Sequence, residues 1–310
     1  MKKFLTQLLC FGLLFLAIDR SLIVLRNYVP QLEVDQRLEQ VLQKKLKADV
    51  FVFGSSRGAR DVIASQLGDS LQQNVYNLSY PGGDIEFQYF VLQQVLKYQK
   101  PKVVLLVMDE NTEVGASENV RYRLDRLYPL VKYPVVREEL IRKSEKNKYL
   151  SELFILHQLN KSNFDLRYRK PSPLDTPLAC GSMPITTQMP GFTKKFDTAI
   201  PVYDPQKEFA SKRYYFDHFL TACEQSNTKV VLVFPPNFYA SSPAFYARMQ
   251  HLAAHRAYLM RYNSADARYK NPDYFNDKHH LRQSGAQLFT ADLAQFIRQQ
   301  QVLLPVNSIR

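Results

Sequence analysis

The run Phe53-Gly54-Ser55-Ser56-Arg57-Gly58 reads as a strand that ends in small residues and turns into a helix beginning near Ala59. A serine at such an elbow stands above the sheet edge, and the following backbone N–H groups point toward any oxyanion formed on it. The plain alternative is a tight turn or a phosphate-binding loop. A second stretch, Asn276-Asp277-Lys278-His279-His280-Leu281, lies just ahead of an amphipathic helix. With Asp277 three residues before His280 in a turn, the carboxylate can accept from the imidazole Nδ1–H and leave Nε2 free to take a serine proton. His279 is the rival base, and a solvated histidine pair capping a helix is the plain alternative. The third stretch is Asn77-Leu78-Ser79-Tyr80-Pro81-Gly82-Gly83-Asp84. Glycine there lets a backbone N–H approach a reacting centre, although paired glycines after proline are commonly only a turn.

Such residues need a scaffold that brings distant stretches together. Asp49 to Phe53, Val75 to Leu78, Val103 to Met108 and Val230 to Phe234 are short apolar runs followed by turn-forming or polar residues, and are predicted strands. Residues 86–97 and 283–299 have helical spacing, with Phe87, Phe90, Val91 and Val95 on one face of the first and Leu288, Phe289, Leu293 and Phe296 on one face of the second. Strands alternating with helices imply an α/β fold with a parallel sheet covered on both sides, where functional groups gather beyond the C-terminal strand ends. Residues from about 112 to 203 break this rhythm and are predicted to be an insertion. Between Val120 and Lys170 there are 13 Lys and Arg against 6 Asp and Glu, so this segment holds most of the chain's formal charge of +12. Its placement after the third strand would let it wall the cleft or face anionic headgroups.

Met1-Lys2-Lys3 precedes an apolar run from Phe4 to Ile18, with the pattern of a signal anchor or signal peptide over residues 1–26. No small-x-small cleavage site follows, which favours an uncleaved anchor; a buried amphipathic helix is the alternative. Residues 27–48 read as a polar stalk, 49–300 as the catalytic domain and 301–310 as a tail. With 310 residues, 45% hydrophobic and 23% charged, 10 Gly and 17 Pro, the chain is excluded from collagen-like, low-complexity and wholly disordered classes. A chain of this length buries roughly 75% of its unfolded surface and needs no disulfide or structural metal. Beyond Cys10 in the anchor, Cys180 and Cys223 either pair or leave Cys223 as a small buried hydrophobe. His251 and His255 are four apart on a predicted helix but lack a third ligand, so no metal site is expected, and Asp217-His218 reads as a solvated pair. No Walker loop or dinucleotide fingerprint is present, no cofactor is expected, and an exported position makes nucleic acid a poor partner for the basic segment.

Taken in order, these motifs resemble the SGNH hydrolase superfamily, also called the GDSL esterase/lipase superfamily. Gly-x-Ser-x-Gly also fits an α/β-hydrolase elbow, but such folds have several strands before the nucleophile. In the SGNH resemblance Gly54-Ser55-Ser56-Arg57 stands at the Gly-Asp-Ser block, Gly82 at the oxyanion glycine and Asp277-Lys278-His279-His280 at the Asp-x-x-His block, over residues 49–110 and 228–300. The resemblance implies a three-layer flavodoxin-like fold. It also implies Ser56 as nucleophile, His280 as base, Asp277 as its orienter, and the N–H groups of Ser56 and Gly82 as the oxyanion hole. Met108-Asp109-Glu110-Asn111 departs from the usual Gly-x-Asn-Asp, and Asn111 is the side-chain donor it offers. Ser55 in place of the first-block Asp, together with the anchor, looks like the membrane-tethered envelope branch that includes DltD-like and alginate-acetylation-type proteins. The expected protein is a single-pass membrane protein with its serine hydrolase or O-acyltransferase domain outside the cytoplasm. Acylated envelope glycan or a small ester would be its substrate, and a membrane-bound acyltransferase a candidate partner. The rival is a catalytically idle scaffold of the same fold.

Overall fold

The computed structural model describes residues 1–109, 114–115, 120–167, 172–192 and 195–304. Short apolar runs rich in Val, Leu and Phe form β1 (Val50–Gly54), β2 (Val75–Asn77), β3 (Val103–Val107) and β4 (Lys229–Phe234). A fifth strand, β5 (Ala257–Arg261), was not legible as one, because it is an edge strand with mostly half-buried side chains and its four apolar residues, without a β-branched one, stand between Arg256 and Arg261. The helices are α1 (Lys2–Tyr28), α2 (Arg37–Leu42), α3 (Ser56–Asp61), α4 (Ala64–Leu71), α5 (Ile85–Leu96) and α6 (Leu124–Leu127). They continue with α7 (Pro134–Arg142), α8 (Lys148–Leu153), α9 (Ile155–Gln158), α10 (Ala210–Gln225), α11 (Pro243–Ala253) and α12 (Gln283–Gln299).

All five strands run parallel in the order β2-β1-β3-β4-β5. This is the flavodoxin-like order, and its direction of growth reverses between β1 and β3, where ligands bind in such sheets. Successive side chains alternate between the faces. Val50 and Val52 join Leu67 of α4 and Phe289, Leu293 and Ile297 of α12 in one core. Phe51 and Phe53 therefore point the other way, where Phe53 meets Phe219 of α10 edge to face at 5.6 Å and α5 packs on α10. Helices on both faces complete the three-layer α/β fold expected from the sequence.

The chain divides into two compact units. The sheet unit comprises Gln43–Tyr122 and Ser172–Arg310; the other comprises Met1–Leu42 and Arg123–Pro171. Residues 27–42 of the expected stalk thus fold with the middle of the expected insertion, and 43–48 with the sheet unit. Arg37, Leu38, Glu39 and Val41 of α2 are buried, and Glu39 pairs with Lys132 and accepts from Tyr133 Oη at 3.0 Å. From Ser172 onward the chain is part of the sheet unit. Cys180 O accepts the Asn77 N–H at 2.9 Å, and Met183 N donates to Ala59 O at 2.6 Å. Cys180 and Cys223 are free thiols; Cys223 is buried in α10, and burial pushes its thiol pKa up. His251 lies on α11, but that helix ends at Ala253, so His255 stands beyond it and the two do not share a helix.

Candidate active site

Every described residue of the site belongs to the sheet unit. Ser55 precedes α3 without a side-chain capping bond and Ser56 is its first residue, so the elbow comes one turn earlier than the helix start near Ala59 expected from sequence. The first N–H groups of a helix have no intrahelical acceptor. Gly58 allows the turn to approach its neighbour: a Cβ there would lie 2.4 Å from Ser79 Oγ. The loop after β2 is fastened to the elbow, with Tyr80 N donating to Gly54 O at 3.0 Å. Gly83 N closes a turn onto Tyr80 O at 2.8 Å, and Gly82 takes φ +71°, a conformation glycine adopts without steric cost. Gly82 O accepts from Arg121 N at 2.9 Å, which holds the Gly82–Gly83 peptide, and among the described residues no acceptor takes the Gly82 N–H of the preceding peptide.

The third piece is the loop before α12. Asp277 Oδ1 accepts from the N–H groups of His279 at 2.7 Å and His280 at 2.9 Å, and its Oδ2 accepts from Asn276 Nδ2 at 2.7 Å. This local turn leaves the carboxylate 2.9 and 3.0 Å from His280 Nδ1. The other ring nitrogen, Nε2, is 2.8 Å from Ser56 Oγ. Burial by itself would raise the Asp277 pKa. The His280 hydrogen bond and charge, the His279 N–H and the Asn276 amide outweigh it and hold the carboxyl well below the usual carboxylate range. Of the two adjacent histidines, His280 faces Ser56, while His279 Nδ1 is 3.4 Å from Tyr239 Oη.

Ser56, Asp277 and His280, 224 positions apart at the extremes, thus meet in one hydrogen-bonded chain. Gly82 lies on the neighbouring loop. Asn111 lies outside the described residues. The sequence reading passed over three further groups. Asp109, just past β3, accepts from Ser55 Oγ at 3.2 Å across the β1–β3 reversal point. Arg57 is buried, with Nη2 donating to Pro235 O and Pro236 O, both at 2.8 Å, which ties α3 to the loop after β4. Asp61, fully buried at the end of α3, accepts from Leu281 N at 2.9 Å. A charged residue beside the serine signals a solvated face in sequence, and the i,i+4 spacing of Arg57 and Asp61 is the one local signal that could have found the pair.

An imidazole within hydrogen-bond reach of a serine, oriented by a carboxylate on its far nitrogen, is the arrangement that activates a hydroxyl for attack on a carbonyl. No protein-family model matches the sequence, and no curated protein matches it. Among solved structures, the chain is similar to the psychrotrophic esterase EstA from a Pseudoalteromonas species, at 13% identity and a TM-score of 0.40, over 81% of this chain and 97% of that one. A lipase/acylhydrolase from Enterococcus faecalis is similar at 11% identity and a TM-score of 0.40, over 81% and 95%. A Bacillus subtilis protein is similar at 12% identity and a TM-score of 0.43, over 81% of this chain and 56% of that one.

Proposed function

We propose that the chain is a serine ester hydrolase or O-acyltransferase of the SGNH type, acting through an acyl-enzyme on Ser56. The observation that carries this reading is the 2.8 Å approach of Ser56 Oγ to His280 Nε2, with Asp277 on Nδ1. With Nδ1–H donating to Asp277, Nε2 accepts the Ser56 proton as Oγ attacks the ester carbonyl. The tetrahedral oxyanion faces the Ser56 and Gly82 N–H groups. As it collapses, the imidazolium returns the proton to the leaving alkoxide, the alcohol departs and the acyl group stays on Oγ. Water, or a sugar hydroxyl in the transferase case, then attacks the acyl carbon and gives its proton to Nε2, and Ser56 leaves as a hydroxyl.

The proposed setting is the cell envelope, with the apolar helix as anchor, the catalytic domain at 49–300 outside the cytoplasm, and acetyl esters of envelope glycan as substrate. Lys2–Leu32 contains the one helical stretch among the described residues that is long and apolar enough to cross a membrane. The resemblance to the membrane-tethered envelope branch supports the glycan and the pairing with a membrane acyltransferase. A fluorophosphonate probe tests the chemistry, since it should label the native chain and fail to label Ser56→Ala. An unlabelled native chain would favour the idle scaffold. Acetyl release from an acetylated glycan, measured with and without added sugar acceptor, separates hydrolysis from transfer.

A further inference from the structure

Asp19 stands where the apolar run of α1 ends, and it is only 2% exposed. Its carboxylate oxygens accept the N–H groups of Ile155 at 3.0 Å and Leu156 at 2.9 Å, at the start of α9. Arg20 Nη2 donates to Leu153 O at 3.0 Å, and Arg26 Nη1 to Gln158 Oε1 at 2.7 Å. Phe15 meets Phe154 edge to face at 5.6 Å. The segment of α8 and α9 is therefore clamped along α1 from Phe15 to Arg26.

That clamped segment exposes several large apolar side chains, with Glu152 exposed among them. Tyr149 is 73% exposed, Leu153 59% and Leu156 45%, with Leu150 beside them. Large apolar side chains so grouped mark an interaction surface. Its neighbour says what covers it, because on α1 the side chains of Phe4, Leu8, Phe11, Leu14 and Ile18 are also exposed. Residues 2–18 rise about 25 Å at 1.5 Å per residue, close to the roughly 30 Å of a bilayer's hydrocarbon core. Phe15 lies inside that run, so with α1 across a bilayer a segment packed against it would sit at the edge of the hydrocarbon, near Arg20 of the same helix.

We propose that Tyr149–Leu156 is a second membrane contact, an interfacial element that dips Tyr149, Leu150, Leu153 and Leu156 into the bilayer surface beside α1. The inference rests on α1 being the anchor. Asp19 is the clamp that sets its depth, since its carboxylate is removed from lipid only while the α9 N–H groups satisfy it.

The chain contains no tryptophan, so a single introduced one is a unique fluorescent reporter. Full-length Leu153→Trp and Leu9→Trp, reconstituted in phosphatidylcholine–phosphatidylglycerol vesicles, would be read with lipids brominated either near the headgroup or near the chain end. Tyr149→Trp repeats the test at the most exposed position of the segment. Quenching of L153W and Y149W mainly by shallow bromines, with L9W quenched mainly by deep ones, is expected. Quenching of L9W alone overturns the interfacial contact and leaves the anchor standing. A blue-shifted but unquenched L153W would mean that protein, such as a second copy of the chain, covers the segment, and also overturns it. No quenching of any variant removes the anchor itself.

Discussion

Asp61 Oδ1 accepts a 2.9 Å hydrogen bond from the backbone N–H of Leu281, so the helix that begins at Ser56 ends by holding the residue after His280. The same carboxylate lies 3.5 Å from Arg57 Nε, and Arg57 in turn grips the carbonyls after β4. The proposed nucleophile and base are thus both held to one short element, and the helices α4 and α12 that follow them pack on each other, which keeps Oγ and Nε2 in reach.

Full burial pushes the Asp61 pKa up to about 6 from an ordinary 3.8; Arg57, His280 and the Leu281 N–H oppose the shift, and Asp277 adds to it. Below about pH 4 the group is protonated whether folded or not, and between about 4 and 6 the folded chain keeps a proton that the unfolded chain has released. This group's contribution to stability therefore falls as pH rises through that window, by roughly 3 kcal/mol in all. Asp277 acts in the opposite sense, since its depressed carboxyl gives stability that is lost only at lower pH. Denaturant melts of wild type and Asp61→Asn from pH 4 to 7 should differ by an amount that changes across the window. A constant difference would disprove the assignment.

Ser56→Ala should lower turnover of p-nitrophenyl acetate by roughly a thousandfold or more. Ser55→Ala removes only the hydrogen bond to Asp109 and should lose less than about tenfold. Reversal of that order would move the nucleophile to Ser55.

His280→Ala should be at least as damaging as Asp277→Asn, because the carboxylate only orients the ring and stabilises its charge. His279→Ala, which loses a contact to Tyr239, should retain most activity. Steady-state kinetics on the three variants check this; full activity in His280→Ala would pass the role to His279.

Gly82→Ala puts a side chain where φ is +71° and should rotate the peptide by which the N–H would meet an oxyanion. A loss in kcat of about tenfold or more with KM nearly unchanged is expected, since the donor acts on the transition state. An unchanged kcat would remove Gly82 from the oxyanion hole.

The elements legible in the sequence were those with a strong period. β1, β3 and β4 are uninterrupted apolar runs, and α12 carries Phe289, Leu293 and Ile297 on one face. Ser56, Gly82, Asp277 and His280 could be singled out because each sits beside turn residues with local spacing. What binds these pieces together was not legible. Arg57 and Asp61 are charged, and charge in a helix ordinarily signals solvent; only the fold reveals that both are buried. The companion unit was missed for a related reason, since α2 and the basic middle segment are each too polar to announce a shared interior.

Six residues make a helix too short to persist alone, so α3 owes its order to the grips on Arg57, Gly58 and Asp61. The hydrogen-bonded amides of its second half, from Ala59 on Ser55 O onward, should reach deuterated water only when the loops after β2 and β4 and the one before α12 let go together, unlike the Ser56 N–H that opens to the site. Exchange at those amides should accordingly be as slow as in the central strands, and catalytic activity should vanish in denaturant together with the sheet rather than ahead of it.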